Sequence, residues 1–361
     1  MSRALLLAAG GTGGHVFPAL AVAEALERHG EAVTFLTDAR GARFLGPRPH
    51  RVVAAAGLTG GLAGRVRAVA ALMRGTVEAS RLVRELRPRA AALFGGYATL
   101  PALFALLLGR VPFVVHEQNA ILGRANRLAA RFAQRLALSF ADTEGLRRGL
   151  RRKIVVTGNP VRPGFVAASR PPSQASGRIQ LLVTGGSQGA RVFAERVPAA
   201  LAQLPPALRG RLRLWMQCRA EQAEQLRRRL TELEVEAEVR SFFDDLPLRL
   251  ARADLALTRA GASTVAELLT AGTPAILVPY PHAVADHQSA NAARLARAGA
   301  ALVLPEAEFT PARLASLLVS LLGDRKRLEA MRAAACRLAP RGAAERLART
   351  VIALAGGEET A

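Results

Sequence analysis

Short apolar segments alternate with longer helical patterns along almost the whole sequence, and this alternation restricts the fold more than any other feature. The apolar segments are largely continuous, which is typical of parallel strands that helices cover on both faces. We predict strands at 3–9, 32–37, 90–94, 113–115, 154–156, 179–183, 212–216, 237–239, 255–257, 275–278 and 301–304. The sequence therefore predicts an α/β protein with doubly wound parallel sheets.

A break rich in glycine and proline, from Gly158 to Pro163, divides this pattern in two. The polar segment 169–177 reinforces the break, and 361 residues are enough for two domains with separate cores. We predict an N-terminal Rossmann-like domain over 1–160, a C-terminal one over 161–340, and a helix within 341–361 that packs back on the N-terminal domain. Because both domains open with a strand that runs into a glycine loop, we expect two sheets whose carboxyl ends face a cleft.

The charge of the chain predicts an anionic partner. Lys and Arg number 50 against 28 Asp and Glu, which gives a net charge of +22. Such an excess is attracted to nucleic acid or to lipid headgroups. Nucleic acid is disfavoured because the arginines are dispersed, only 4% of residues are aromatic and no nucleic-acid-binding module is recognisable.

One amphipathic pattern, over 64–86, is a candidate for contact with an anionic membrane surface. Its apolar positions recur at helical spacing and are flanked by arginines; they are Val66, Val69, Leu72, Met73 and Val77. The alternative is an ordinary amphipathic helix whose apolar face packs on the core.

Other signals favour a cytoplasmic protein without a spanning segment. Cys218 and Cys336 are far apart and fit neither a metal motif nor a disulfide framework, so a reducing compartment is expected. The apolar run at the N-terminus is too short for a secretory signal. Residues 90–109 carry no charge, but Gly95, Gly96 and Pro101 interrupt them. We therefore predict a strand, a glycine turn and a helix over 100–108 there.

The two glycine loops, at 10–14 and 185–189, are candidate anion sites, because each lies between a strand and a helix N-terminus. Neither has the GxGxxG or P-loop pattern, so a tight turn without a ligand remains the alternative to a diphosphate site. Asp38 follows the second predicted strand, where a dinucleotide fold has its ribose-binding carboxylate. An NAD-type protein therefore stays open.

Further candidates follow from residue type and position. His15, at a helix start, is either a neutral base or a structural histidine. Glu117 opens a polar segment after a strand, where ligands of parallel sheets are held. Glu267 is either a partner of a helix dipole or an acceptor of ribose hydroxyl protons. Gln288 and Asn291 share a helix face and suit sugar hydroxyls. No metal-ligand cluster is recognisable, so we predict no metal and no cofactor.

Six ordered motifs together resemble the MurG family of bacterial peptidoglycan N-acetylglucosaminyltransferases, which have the GT-B fold. The motifs lie between residues 11 and 292 and read Gly11-Thr12-Gly13-Gly14-His15, Gly95-Gly96-Tyr97, His116-Glu117-Gln118-Asn119, Gly158-Asn159-Pro160-Val161-Arg162, Gly185-Gly186-Ser187-Gln188-Gly189-Ala190 and Asp286-His287-Gln288-Ser289-Ala290-Asn291-Ala292. The resemblance implies that N-acetylglucosamine (GlcNAc) passes from UDP-GlcNAc to the C4 hydroxyl of MurNAc in lipid I, the undecaprenyl-diphosphate-linked MurNAc-pentapeptide. The products are lipid II and UDP, with inversion, and the protein is peripheral at the cytoplasmic face of the cell membrane.

Two other functions remain alternatives. One is another GT-B transferase that uses a UDP-sugar. The other is a regulator of envelope assembly that binds a nucleotide sugar without turnover.

The resemblance also implies roles for individual residues. Substrate-binding positions in the first domain are Thr12, Gly13, Gly14, Tyr97 and Asn119, and Arg162 follows in the break between the domains. Asn119 and Arg162 match donor-site positions. Donor-binding positions in the second domain are Ser187, Gln188, Phe243, Ala262, Ser263, Thr264, Val265, Ala266, Glu267, Gln288 and Asn291. Ser187 matches a residue at the UDP phosphates, Phe243 one whose backbone contacts uracil, and Glu267 one on the ribose. Gln288 and Asn291 match positions that contact GlcNAc hydroxyls.

The resemblance makes His15 a catalytic candidate, and Glu117 is a second catalytic candidate from its position after a strand. His15 is a general base or a diphosphate contact, and in the second case Glu117 or Asp38 is the base. The chain departs from the family after Tyr97, where Val-Ser-Gly-Pro is usual and Ala98-Thr99-Leu100-Pro101 is found. Thr99 keeps a hydroxyl, but Leu100 replaces a glycine, so the resemblance supports the acceptor loop least.

Overall fold

The chain folds into two compact units, each built on one parallel sheet. The computed structural model describes residues 4–55, 61–167, 177–186 and 189–357. The first unit comprises Met1–Arg162 and Pro340–Ala361, and the second comprises Pro163–Ala339. The polar segment at 169–177 falls almost entirely outside the described residues.

The first unit contains a parallel sheet flanked by helices. Its strands are β1 (Leu5–Ala8), β2 (Val33–Thr37), β3 (His50–Val52), β4 (Ala91–Leu93), β5 (Phe113–Glu117), β6 (Arg135–Leu138) and β7 (Ile154–Val156). Its first helices are α1 (Gly13–Arg28), α2 (Ala39–Ala42), α3 (Leu62–Leu86), α4 (Thr99–Leu108) and α5 (Arg124–Ala129), with a 3-10 helix at Arg148–Lys153. Within the described residues the strand order is β3-β2-β1-β4-β5-β6-β7, and neighbouring strands pair in parallel.

The second unit repeats this plan. Its strands are β8 (Ile179–Thr184), β9 (Leu212–Gln217), β10 (Glu236–Arg240), β11 (Leu255–Thr258), β12 (Ala275–Leu277) and β13 (Ala301–Val303), in the order β10-β9-β8-β11-β12-β13. Its helices are α6 (Pro163–Ala167), α7 (Arg191–Leu201), α8 (Pro206–Arg209), α9 (Ala223–Glu232), α10 (Leu246–Arg252), α11 (Ala262–Ala271), α12 (His287–Arg297), α13 (Pro311–Leu322) and α14 (Arg325–Leu338). Short 3-10 helices lie at Ala220–Gln222, Val284–Asp286 and Glu306–Glu308.

The last helix of the chain, α15 (Ala343–Gly356), belongs to the first unit. Leu347 and Val351 are fully buried in the same apolar cluster as Val16 of α1. The guanidinium of Arg346 donates to the carbonyl of Thr157 at 2.6 and 3.1 Å, which ties the helix to the end of β7. The C-terminal helix thus completes the core of the unit in which the chain begins.

Each predicted strand is present, with shifted ends, but two strands were missed. β3 is a three-residue edge strand with two exposed residues, so it lacks an apolar signal. β6 opens on Arg135 directly after an Ala- and Arg-rich stretch that has a helical pattern. The first helix, α1, begins at Gly13. This places His15 inside the first helical turn.

The order of strands reverses once in each sheet, and these two points position the candidate site. In the first sheet the reversal lies between β1 and β4, and in the second between β8 and β11. Ligands of open α/β sheets bind at the carboxyl ends of the strands at such a point. The loops that follow β1, β4, β8 and β11 are therefore the candidate binding loops. Among the described residues, no helix has both the length and the apolar character needed to cross a bilayer.

Candidate active site

Asp38 anchors the glycine loop that follows β1. One of its carboxylate oxygens accepts hydrogen bonds from the backbone N–H of Gly11 and of Gly41, both at 2.8 Å. The other oxygen lies 3.3 Å from Nε of Arg40, and the carboxylate is buried. Both oxygens are held by the chain itself, which argues against the ribose-binding and base roles considered for Asp38.

The loop after β1 passes directly into α1 and exposes the start of that helix. Thr12 is the exposed N-cap residue, with an extended backbone, and Gly13 and Gly14 are the first two helical residues. A Cβ on Gly13 would lie 2.7 Å from the ring of Phe17, so a side chain does not fit there. Backbone N–H groups at a helix start suit an anion.

The loop after β4 lies against the loop after β1, as the strand order requires. Gly95 and Gly96 both have positive φ, at +86° and +81°, which favours glycine at both positions. A Cβ on Gly96 would lie 3.2 Å from Cδ2 of His15, so the missing side chain leaves room for the imidazole. Tyr97 follows with 38% of its surface exposed. The structure thus brings together His15 and Tyr97's loop.

Leu100 fits the acceptor loop without distorting its backbone. It is the second residue of α4, in an ordinary helical conformation, and its side chain packs on the core of the first unit. The hydroxyl of Thr99 donates to the carbonyl of Gly96 at 2.8 Å. The departure from the family motif therefore places a leucine where the helical backbone does not require glycine and where the side chain packs on the core.

Glu117 organises the loop after β5. One carboxylate oxygen accepts from the backbone N–H and the side-chain amide of Asn119, at 2.9 and 3.2 Å. The other accepts from the backbone N–H of Gly123 at 2.9 Å and from the amide of Asn126 at 2.8 Å. A carboxylate offers about four lone-pair sites. Because these four bonds fill them and the group is buried, the geometry favours a positioning role over the catalytic role considered for Glu117.

Two polar side chains of the same motif, His116 and Gln118, are buried behind His15. The amide oxygen of Gln118 lies 3.2 Å from Nδ1 of His15, and its amide nitrogen lies 3.1 Å from Nδ1 of His116. Complete burial lowers the pKa of His116 from 6.5 to about 4. His116 is therefore neutral at physiological pH.

Arg162 ends the first of the two chain segments that form the first unit, and its guanidinium contacts an aromatic ring. Its guanidinium carbon lies 4.4 Å from the ring centroid of Phe17 in α1, which is cation–π geometry. This contact places Arg162 beside the first helix, at a residue two positions after His15.

The corresponding loop of the second unit follows β8, and Ser187 and Gln188 in it lie outside the described residues. A Cβ on Gly185 would lie 2.0 Å from the backbone nitrogen of Ala190, so only glycine fits. The hydroxyls of Thr184 and Thr258 lie 3.1 Å apart and join the ends of β8 and β11.

The helix after β11, α11, has an N-terminus that suits an anion and also carries a buried carboxylate. Ala262, Ser263 and Thr264 are its first three residues, behind an extended N-cap glycine. Glu267 is the sixth residue and is buried. A helix dipole acts mainly within the first turn, so a dipole role alone does not account for Glu267.

Val265 and Ala266, also implied as donor contacts, have side chains in the core, with 1% and 3% of their surface exposed. Any contact that these two residues make with a ligand comes from the backbone.

Gln288 and Asn291 both hold the backbone of Ala260, at the entrance to α11. The amide oxygen of Gln288 accepts from the N–H groups of Ala260 and Tyr280 at 3.1 and 3.0 Å. The amide nitrogen of Asn291 donates to the carbonyl of Ala260 at 3.0 Å, and Asn291 is fully buried. The expected shared face of the helix is thus present. Among the described residues, the amide nitrogen of Gln288 has no hydrogen-bond partner.

Phe243 is buried between β10 and α10. The Arg249 guanidinium stacks 4.3 Å from its ring centroid and bonds to Glu238 and Asp245. The hydrogen bond from Arg249 lowers the pKa of Asp245. These contacts hold the ring of Phe243. Its backbone N–H has no hydrogen-bond partner within the described part of the chain.

Sequence reasoning missed one residue of this site, Asn126. Its amide joins Glu117 to the carbonyl of His116, and a Cβ on Gly95 would lie 3.0 Å from that amide. Asn126 lies in a short helix beyond the motif, with no pattern around it that indicates a site. Within the described residues, no group of three metal-ligating side chains is present.

Comparison with known proteins assigns the class. Residues 5–138 match the glycosyltransferase family 28 N-terminal domain, and residues 180–347 match the glycosyltransferase family 28 C-terminal domain. The two parallel-sheet units with glycine loops at their strand reversals are thus those of a GT-B glycosyltransferase.

Individual relatives are more specific. The chain is 48% identical over 358 residues to the UDP-N-acetylglucosamine–N-acetylmuramyl-(pentapeptide) pyrophosphoryl-undecaprenol N-acetylglucosamine transferase of Rhodospirillum centenum, which covers 98% of this chain and 94% of the relative. It is 46% identical to the protein of the same name from Paramagnetospirillum magneticum, over 99% of this chain and 98% of the relative. The crystal structure of Acinetobacter baumannii MurG superposes with a TM-score of 0.78 at 32% identity, over 97% and 99% of the two chains.

The chain belongs to the MurG family. This membership replaces the NAD-type alternative. A UDP-N-acetylglucosamine 2-epimerase from Listeria monocytogenes, with a TM-score of 0.71 at 14% identity, shares the fold alone.

Proposed function

We propose that the protein transfers GlcNAc from UDP-GlcNAc to the C4 hydroxyl of MurNAc in lipid I, giving lipid II and UDP with inversion. The proposal rests on the 46–48% identity, over nearly the full length of the chain, to relatives named as N-acetylglucosamine transferases that act on this acceptor. The two glycine loops at the strand reversals support it, since each unit then offers one ligand site.

The second unit binds the donor in this proposal. The N-terminus of α11, at Ser263 and Thr264, suits the diphosphate of UDP, because its N–H groups and dipole favour an anion. Glu267 accepts the ribose hydroxyl protons, and the backbone of Phe243 contacts uracil. Gln288 offers its amide N–H groups to the sugar, because its oxygen is already bonded to backbone. The resemblance adds Ser187 at the phosphates and Gln188 as a further donor-binding residue.

The first unit binds the acceptor beside Tyr97 and supplies the base. As the C4 oxygen attacks the anomeric carbon, Nε2 of His15 takes the hydroxyl proton, while the bond from that carbon to UDP breaks on the opposite face. This displacement inverts the anomeric centre. The negative charge that develops on UDP is stabilised by the helix start described above. The chemistry needs neither a metal nor a cofactor, since His15 and the helix supply the proton acceptor and the charge stabilisation.

A membrane partner is supported by the orientation of α3. Val66, Val69, Met73 and Val77 expose 50–66% of their surface on one side of this helix, whereas Leu72 is partly buried. Exposed apolar residues at helical spacing among arginines are typical of a helix that lies on an anionic bilayer. We infer that the protein is peripheral at the cytoplasmic face of the cell membrane, where a lipid-linked acceptor is accessible.

Transfer is tested by incubating the full chain with labelled UDP-GlcNAc and a lipid I analogue, and by identifying the product by mass. One GlcNAc added per acceptor, with UDP released, supports the proposal. Transfer only from a different UDP-sugar favours another GT-B transferase. Binding of UDP-GlcNAc without turnover favours the regulator of envelope assembly.

The donor site is tested separately with Glu267→Ala. Hydrogen bonds to a charged group contribute about 1.5–3 kcal/mol, so UDP affinity in calorimetry should fall by one to two decades. The matched control is Glu195→Ala, which removes an exposed carboxylate from α7 and should leave UDP affinity unchanged. Unchanged affinity in folded Glu267→Ala protein would contradict the ribose assignment.

A further inference from the structure

We propose that Gln118 determines which nitrogen of His15 carries the proton, through hydrogen bonds whose direction is imposed by backbone carbonyls. In this arrangement the proton of neutral His15 lies on Nδ1 and the lone pair lies on Nε2. The inference rests on the proposed function, in which Nε2 is the base, and makes Gln118 a positioning residue for the transfer.

The side chain of Gln118 is held in one orientation by two carbonyl groups. It has 1% of its surface exposed, and one end of its amide lies 2.8 Å from the oxygen of Phe94 and 3.2 Å from the oxygen of His116. Carbonyl oxygens only accept hydrogen bonds, so the amide end that faces them is the NH2 group. The amide oxygen therefore points the other way.

The contacts of His116 require the same orientation of the Gln118 amide. Its Nε2 lies 3.2 Å from the carbonyl oxygen of Gly158, which requires a proton on Nε2. Because burial keeps this imidazole neutral, with a pKa of about 4, its Nδ1 carries a lone pair. That nitrogen lies 3.1 Å from the NH2 group of Gln118 and accepts from it. All three groups around the amide nitrogen, the oxygens of Phe94 and His116 and Nδ1 of His116, are thus acceptors that face an NH2 group.

The far end of the amide faces His15. Its oxygen lies 3.2 Å from Nδ1 of His15 and only accepts, so Nδ1 carries the proton and donates. A neutral imidazole holds one N–H, which leaves the lone pair on Nε2. A Cβ on Gly96 would lie 3.5 Å from Nε2, so this edge of the ring faces the loop that carries Tyr97.

This arrangement prepares the ring for proton transfer. Selecting one tautomer means that no N–H occupies the nitrogen that must accept the hydroxyl proton. When Nε2 gains a proton, the N–H on Nδ1 continues to donate to Gln118, so the new charge is stabilised without movement of the amide. Tautomer control by the hydrogen bond on the opposite ring nitrogen is the general behaviour of histidine.

The test reads the tautomer directly in the full-length protein labelled with 15N-histidine. Long-range 1H–15N spectra at pH 8 distinguish Nδ1–H from Nε2–H, and His15→Gln identifies the signals of His15 by their loss. We expect the Nδ1–H tautomer in the wild type. In Gln118→Met, whose side chain is of similar length, we expect the population to move toward Nε2–H. The kcat should fall by on the order of tenfold, with the KM for UDP-GlcNAc near the wild-type value.

Gln134→Met is the matched control, because Gln134 accepts a hydrogen bond from Phe113 N–H at the other end of β5. It should keep both the tautomer and the kcat of the wild type. A proton on Nε2 of His15 in the wild type, or an unchanged tautomer in Gln118→Met, overturns the inference. Since the spectra need no substrate, absent transfer activity would contradict the proposed function and leave the tautomer result standing.

Discussion

The carboxylate of Glu117 accepts a 2.8 Å hydrogen bond from the side-chain amide of Asn126, and the same amide reaches the carbonyl of His116 at 3.1 Å. The last residue of β5 is thereby joined to a helix seven residues beyond the strand's end. Since Gly123 and Asn119 fill the remaining lone pairs of Glu117, the carboxylate holds the loop in one shape. Asn119 and Gln118 are presented by that loop.

Glu117→Gln tests this positioning role. The substitution turns an NH2 group toward N–H donors, and each buried polar group left unsatisfied costs about 1–3 kcal/mol. We expect a lower Tm in calorimetry together with a lower kcat. Glu144→Gln, a nearby exposed carboxylate in the first unit, should change neither. A variant with the wild-type Tm but almost no turnover would instead favour Glu117 as the base.

Burial of His116 predicts a loss of stability in mild acid. Its pKa falls from 6.5 to about 4 on folding, so between these values the unfolded chain binds a proton that the folded chain does not. Stability from this group is complete above pH 6.5 and is lost as the pH falls to about 4. At about 1.4 kcal/mol per pKa unit, the loss is on the order of 3 kcal/mol.

His116→Asn isolates this effect from the titration of carboxylates. The variant lacks the buried imidazole, so its Tm in calorimetry should fall less steeply from pH 7 to pH 4.5 than the wild-type Tm. Parallel curves for the two proteins would mean that folding does not lower the pKa of His116.

Much of the fold and of the site follows from local sequence, because glycine loops after apolar strands mark the ends of parallel strands. The remaining features, such as β3 and the orientation of α3, depend on tertiary contacts. β3 was missed because pairing with β2, and not burial of apolar residues, holds it in the sheet. In α3 the apolar pattern did not show which side faces inward. A Cβ on Gly75 would lie 2.0 Å from the carbonyl oxygen of Ala54. In the first part of the helix the buried positions therefore carry small residues, such as Ala68 and Ala79, and the larger apolar residues point outward.

In the candidate site, too, tertiary contacts could not be predicted from local sequence. Position in a motif indicated Gln288 and Asn291, but only the folded chain shows that both hold the backbone of Ala260. Asn126 acts across the end of β5 and leaves no local signal.

Gln288 and Asn291 should differ in what they do for the donor. Asn291 is fully buried and acts through Ala260, so Asn291→Ala should weaken UDP and UDP-GlcNAc by the same factor in calorimetry. Gln288→Ala should lose more affinity for UDP-GlcNAc than for UDP, because its amide nitrogen is available to the sugar. Equal losses of affinity for UDP and UDP-GlcNAc in Gln288→Ala would mean that Gln288 only holds the backbone of Ala260 and Tyr280 and does not contact the sugar.

The exposed side of α3 predicts binding to anionic membranes. Met73 and Val77 are 66% and 52% exposed and lie one turn apart, so Met73→Asp with Val77→Asp puts two charges where an apolar face would enter the headgroup region. Co-sedimentation with phosphatidylglycerol vesicles should fall, while activity on a water-soluble acceptor analogue is kept.

The control is Val319→Asp on α13, an apolar residue that is 41% exposed in the second unit, and it should sediment like the wild type. Each arginine near an anionic surface contributes about 1 kcal/mol, so raising the salt concentration should weaken wild-type binding as well. Equal sedimentation of the double variant and the wild type would place the membrane contact elsewhere on the protein.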